Sequence, residues 1–277
     1  MSQAATASTP PPPPPATAAA PAPSVAVRAR DVLACEWTKF RSVRSTYWTL
    51  LVAVLTPIGF SAFVAFALAS GPPAGPPPDP LLPGLLSLEY AVLAVSVLGV
   101  LTFSSEYSTG LIRTTFAAVP RRRVVLAAKA AVAGAVTLAA GEVVAFVSFF
   151  ATQAVLHGHH QGVSLSRPGV PGAVLAEGIL LSVCALLGVA LGAIIRHTAG
   201  GIAAAVALIV LPSVTVLLPA PWNDRIGRFT LLEAARQVTA LHPATTLFAP
   251  AISLLVLLAW PAAALLAAAL LITRRDT

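Results

Sequence analysis

Glu106, Tyr107, Gly110 and Arg113 stand together in the short polar stretch "EYSTGLIR", and Pro120 and the run Arg121–Arg123 follow it closely. Arg121–Arg123 fit the enforcement of membrane topology, which does not explain Glu106, Tyr107 or the Gly110–Arg113 spacing. Gly110 permits a bend or a helix end, and Pro120 breaks whatever helix precedes it. No catalytic core accompanies them. A nucleotide-binding loop needs Gly-x-x-x-x-Gly-Lys-Ser/Thr, so that backbone amides and a lysine hold the phosphates. The two lysines are Lys39, followed by Phe40, and Lys129, followed by Ala130, and neither follows a glycine. Binding of ATP through such a loop is therefore excluded, and there is no HExxH and no cysteine pair at zinc spacing. "HGHH" offers His157, His159 and His160 as metal ligands. No carboxylate or cysteine lies beside them, so a solvated polar loop is the better reading and no metal is expected. Two more carboxylates, Glu142 and Glu177, fall inside long apolar runs, where charge is costly. They read as substrate-path or gating contacts, or as structural hydrogen-bond partners between helices.

The elements that must position these groups are membrane spans. Of the 277 residues 57% are hydrophobic and 10% charged, against about 25% charged in soluble domains. Crossing ~30 Å of hydrocarbon takes about 20 mainly apolar residues. Six runs qualify, near residues 48–69, 84–103, 125–156, 172–195, 199–218 and 247–272. The third exceeds one span, with Lys129 at its membrane edge. With the N-terminus inside, the inner segments hold 13 Lys and Arg and the outer loops 4, which accounts for all 17. The positive-inside rule then places both termini in the cytoplasm. That asymmetry absorbs the +7 net charge, so no nucleic-acid partner is implied. Cys35 falls in an inner segment and Cys184 within a span, and no disulfide is expected.

Residues 1–24, rich in Pro and Ala, read as a disordered tail, and residues 25–277 as one six-helix transmembrane domain. Before the first span, residues 28–45 read as an amphipathic helix in the inner interface, in contact with membrane lipid. Leu33, Trp37 and Phe40 recur at helical spacing, while Glu36, Lys39 and Arg41 fall largely off that stripe. Glu36 and Lys39 are placed to pair at i,i+3. Among the outer loops, 71–83 is proline-rich, and 219–246 has the periodicity of a short surface or re-entrant helix (Ile226, Phe229, Leu232, Val238, Leu241). Small residues crowd the third and sixth runs and permit close helix approach.

"CEWTKFRSVRSTYWTLL" and "SSEYSTGLIRTTFAAVPRRRVVLAAK" resemble the membrane subunits of type-2 ATP-binding-cassette (ABC) exporters, especially those of high-GC Gram-positive bacteria. The shared pattern is Glu-aromatic-x-x-Gly-x-x-Arg, then Pro-x-Arg and a lysine opening the next helix: Glu106, Tyr107, Gly110, Arg113, Pro120, Arg122 and Lys129. The six-span layout matches over roughly residues 28–275. The resemblance implies a permease in the plasma membrane that is not itself an enzyme. A separate ABC ATPase subunit would bind ATP and Mg, and would dock on the interface helix and the 104–123 loop. A second copy of the permease, or a related one, would complete the assembly, and the cargo would be hydrophobic or amphipathic. The contrary reading is a secondary transporter, or another multi-span protein working without an ATPase. It would favour inverted repeats and several intramembrane charges; no repeat is evident, and two carboxylates are the candidates.

Overall fold

The computed structural model describes residues 28–42, 44–71, 79–210, 214–215, 217–241, 244 and 247–274. The 1–24 tail and most of the proline-rich 71–83 loop lie outside them. Among the described residues the fold is all-helical, with no strand. Ten helices follow in order: α1 (Ala29–Ser42), α2 (Arg44–Ser70), α3 (Leu82–Ser108), α4 (Leu111–Ala118), α5 (Arg122–Gly158), α6 (Val170–Ile195), α7 (Thr198–Val210), α8 (Trp222–Gly227), α9 (Leu231–Thr239) and α10 (Pro250–Arg274). Five of them, α2, α3, α5, α6 and α10, are long and apolar enough to cross a membrane. The chain is thus built as a multi-pass membrane protein.

Within the predicted 199–218 run the described α-helix is α7, 13 residues, about 20 Å at ~1.5 Å per residue; residues 211–213 and 216 lie outside the described residues. Conversely, the 125–156 run extends to the 37 residues of α5, about 55 Å by the same rise.

The core is a stack of α3, α5 and α6. α6 is the most enclosed span, and α2 and α10 lie outside with mainly exposed sides. Glycines let α3 and α6 touch backbone to backbone. A Cβ at Gly99 would run into the Ala185 carbonyl, one at Gly188 into the Ser96 carbonyl, and one at Gly192 would lie 2.7 Å from the Val100 oxygen. Away from α1, α8 and α9 form the short helices expected of the 219–246 segment. Thr230 caps α9 by accepting from Glu233 N–H, as N-cap threonines do. The face of α9 that packs inward is Leu231, Ala234 and Ala235, whereas Ile226 and Phe229 of the predicted stripe are exposed. Arg236 reaches Glu89 of α3 at 2.6 Å and Glu233 at 3.4 Å, pinning the segment to the bundle.

Candidate functional site: a charged hub where α1, α3, α4 and α5 meet

α1 is helical because Asp31 lies in its first turn and Lys39 and Arg41 in its last, complementing the helix dipole. The Arg28 N–H donates to Asp31 Oδ2 at 3.1 Å. Its inward face is Val32, Glu36 and Phe40. Leu33 and Trp37, 40% and 46% exposed, look outward with Arg41. The apolar stripe read from the sequence therefore does not face the bundle, apart from Phe40. Glu36 takes the inward position because partners await it there.

Those partners are Lys39, Lys129 and, through them, Glu106. Lys129 Nζ donates to Glu36 Oε2 and to Glu106 Oε1, each at 2.7 Å. Lys39 Nζ donates to Glu36 Oε1 at 2.9 Å and to Glu106 Oε1 at 2.8 Å. Two carboxylates and two ammonium groups thus alternate in one cluster of zero net charge that joins α1, α3 and α5. Lys129 is 3% exposed, Glu36 5% and Glu106 6%. The Lys129 ammonium also lies 5.7 Å above the Phe103 ring. Burial alone would lower the pKa of Lys39. The hydrogen bonds and charges of Glu106 and Glu36 outweigh it and raise the value above the ordinary 10.5. A raised lysine favours folding fully below that ordinary value, and its contribution is lost as pH climbs through the higher folded one. The Lys39 pairs therefore hold across neutral pH.

Thr109 and Gly110 make the turn between α3 and α4. Gly110 sits at φ +75°, ψ −2° as the N-cap of α4, a left-handed conformation that glycine adopts at no steric cost. α4 then buries Ile112 and Phe116 against Val32, Phe103 and Val125. Its outer side presents Leu111, Arg113, Thr114 and Ala117. Pro120 follows its end, also exposed. Arg122 turns back, stacking its guanidinium 5.3 Å from the Phe116 ring and donating to the Ile272 carbonyl of α10 at 3.2 Å. Tyr107 packs beside Phe103 at 5.8 Å, under the Arg196 guanidinium at 5.4 Å. Thr198 of α7 donates to Ser104 at 3.1 Å.

Of the residues singled out in the sequence, the structure gathers Glu36, Lys39, Phe40, Glu106, Tyr107 and Arg122 within the hub. Glu106 is enclosed, and both lysines donate to its Oε1. Arg113 and Pro120 stand apart on the exposed side of α4. Lys129 is the centre of the cluster, and Arg196 was not foreseen as the cover of Tyr107. Glu142 and Glu177 form a separate site between α5 and α6. A Cβ at Gly178 would lie 2.5 Å from the Glu142 carboxyl carbon, and one at Gly84 would lie 3.0 Å from Glu177 Oε1. Glu142 Oε2 is buried with no hydrogen-bond partner.

Two cavities flank the cluster. One, about 340 Å³, lies between α1 and the α2–α3–α5 surface, with Lys39, Phe40, Leu98, Leu101, Glu106 and Val132 among its walls. The other, also about 340 Å³, separates α1 from α4 and is lined by Asp31, Cys35, Glu36, Thr114, Thr115 and Ala118 among others. Among the described residues no group of three or more His, Cys, Asp or Glu could hold a metal ion. No protein-family model matches the chain, and no curated protein shows detectable similarity to it.

Proposed function

We propose that the chain is the permease subunit of an ABC exporter. It would sit in the plasma membrane with six spans and both termini in the cytoplasm, moving a hydrophobic or amphipathic substrate with energy from a separate ATPase subunit that binds ATP and Mg. The single observation that carries this reading is α4. It is a short helix with a bare outer side, held on a two-residue turn, Thr109–Gly110, against a buried ionic cluster that also grips α1 and α5. A push on α4 reaches Phe116 and Ile112, and through the cluster it reaches α3 and α5 together. Such a surface suits a protein that receives work from outside rather than one that performs chemistry. The broad exposed sides of α2 and α10 suit contact with lipid and with a second permease.

The sixth span in this reading is α7 together with the residues that follow it, and the 13-to-4 distribution of Lys and Arg supports the even number. The test is affinity capture of an ABC ATPase co-expressed from the neighbouring gene. Arg113→Glu, on the exposed side of α4, is expected to abolish capture, and Arg225→Glu at the far end to leave it intact. ATP hydrolysis by the purified chain alone, or transport that persists without any ATPase subunit, would refute the proposal.

A further inference from the structure

We infer that the cavity between α1 and the α2–α3–α5 surface binds a zwitterionic phospholipid by its ethanolamine headgroup. The inference needs only the membrane placement of the apolar helices; it is independent of the ATPase reading. The cavity measures about 340 Å³, at the small end of ligand pockets, which run from about 300 to 1,000 Å³. Its walls divide by chemistry. Phe40, Leu98, Leu101 and Val132 supply an apolar side, and Lys39, Glu106 and Lys129 supply the charged end. An amphiphile fits such a division, with its head at the cluster and one chain leaving past the partly exposed Leu101 into the bilayer.

The unused hydrogen-bonding capacity selects the head. Both oxygens of Glu36 are engaged, Oε1 by Lys39 and Oε2 by Lys129. Glu106 Oε1 accepts from both lysines. Glu106 Oε2 has the Thr115 hydroxyl at 3.5 Å, at the limit of a hydrogen bond. Lys39 spends two of its three N–H donors on these carboxylates. Among the described residues, the capacity left is on one acceptor, Glu106 Oε2, which the Thr115 hydroxyl shares, and on one donor, Lys39. The Ser42, Thr102 and Ser105 hydroxyls donate to carbonyls of their own helices, so they add only acceptor lone pairs. The four charges cancel, which disfavours a simple anion or cation. An ethanolamine head answers both openings: its ammonium donates to Glu106 and a phosphate oxygen accepts from Lys39. Lys39 Nζ and Glu106 Oε1 are 2.8 Å apart, so one headgroup reaches both. Choline carries no N–H, and a glycerol head carries no cation.

The experiment offers the purified full chain an equimolar mixture of phosphatidylethanolamine, phosphatidylcholine and phosphatidylglycerol with matched chains. Native mass spectrometry then reads the first bound lipid. We expect phosphatidylethanolamine to exceed phosphatidylcholine by about tenfold, the effect of one charge-assisted hydrogen bond. Leu101→Trp, which fills the cavity from its rim, should erase the preference; Thr49→Phe is the second filler should the first fail to fold. Equal retention of the three lipids, a preference for phosphatidylglycerol, or an undiminished preference in a well-folded filled variant would each overturn the inference. Loss of ATPase capture in the separate test leaves these outcomes unaffected, so the two proposals fail independently.

Discussion

Replacing Lys129 by Met removes the one ammonium that is fully enclosed in the hub and leaves Glu36 and Glu106 facing each other across Lys39 alone. Both lost contacts are 2.7 Å long, and both carboxylates are nearly inaccessible. Deleting one member of a buried ion pair costs about 3–5 kcal/mol, because the remaining charge is stranded. At about 2–4 °C per kcal/mol for chains of this size, the apparent melting temperature should fall by roughly 6–20 °C. The melt can be followed by the fluorescence of the four tryptophans, in one detergent for all variants. The companion is Glu106→Gln combined with Lys129→Met, which deletes one charge of each sign and leaves the Glu36–Lys39 pair. Its loss should be smaller than the sum of the single losses by more than about 1 kcal/mol, as for residues of one network. If Lys129 merely marked a membrane edge, its substitution would stay within about 0.5 kcal/mol, as surface changes do. A shift under ~2 °C, or strict additivity in the pair, would refute the buried-cluster argument.

The α3–α6 seam predicts that Gly99→Ala and Gly188→Ala each sharply reduce the yield of folded protein, since each Cβ would meet a backbone carbonyl. Gly59→Ala, with nothing within 4 Å, should melt like the parent in the same assay. Gly110→Ala meets no atom, yet it must hold φ +75°, so we expect a loss of about 1–2 kcal/mol. Gly110→Asn, better suited to that conformation, should recover part of it, as read by the same melts. Cys35 is exposed and Cys184 buried. A membrane-impermeant maleimide should therefore label Cys35 in inside-out vesicles and not in intact cells, while Cys184 reacts only after denaturation. Labelling of Cys35 from the cell exterior would reverse the proposed orientation.

Length and hydropathy made the five long spans legible, because a run of about 20 apolar residues has few other uses. The interface helix was legible by period, but its inward face was not. Val32, Glu36 and Phe40 repeat at four-residue steps, yet Glu36 counts as polar in any such pattern. What draws it inward is Lys129, 93 positions later, and a pairing at that separation leaves no local trace. The same distance hid the role of Glu106. The resemblance implies a docking role for a glutamate in this pattern, and only the approach of α5 shows its Oε1 shared by Lys39 and Lys129. Arg113 is exposed because α4 turns that side outward.

Where α3 and α6 meet over Gly99, Gly188 and Gly192 there is no gap for a solute, a lipid tail or a file of water. The two helices must travel as a single girder, with Glu106 at its tip. In the proposed permease, cargo would pass along the flanks of this girder. Drugs or mutations meant to jam the protein should be aimed at those flanks, because the seam itself has no slack to lose.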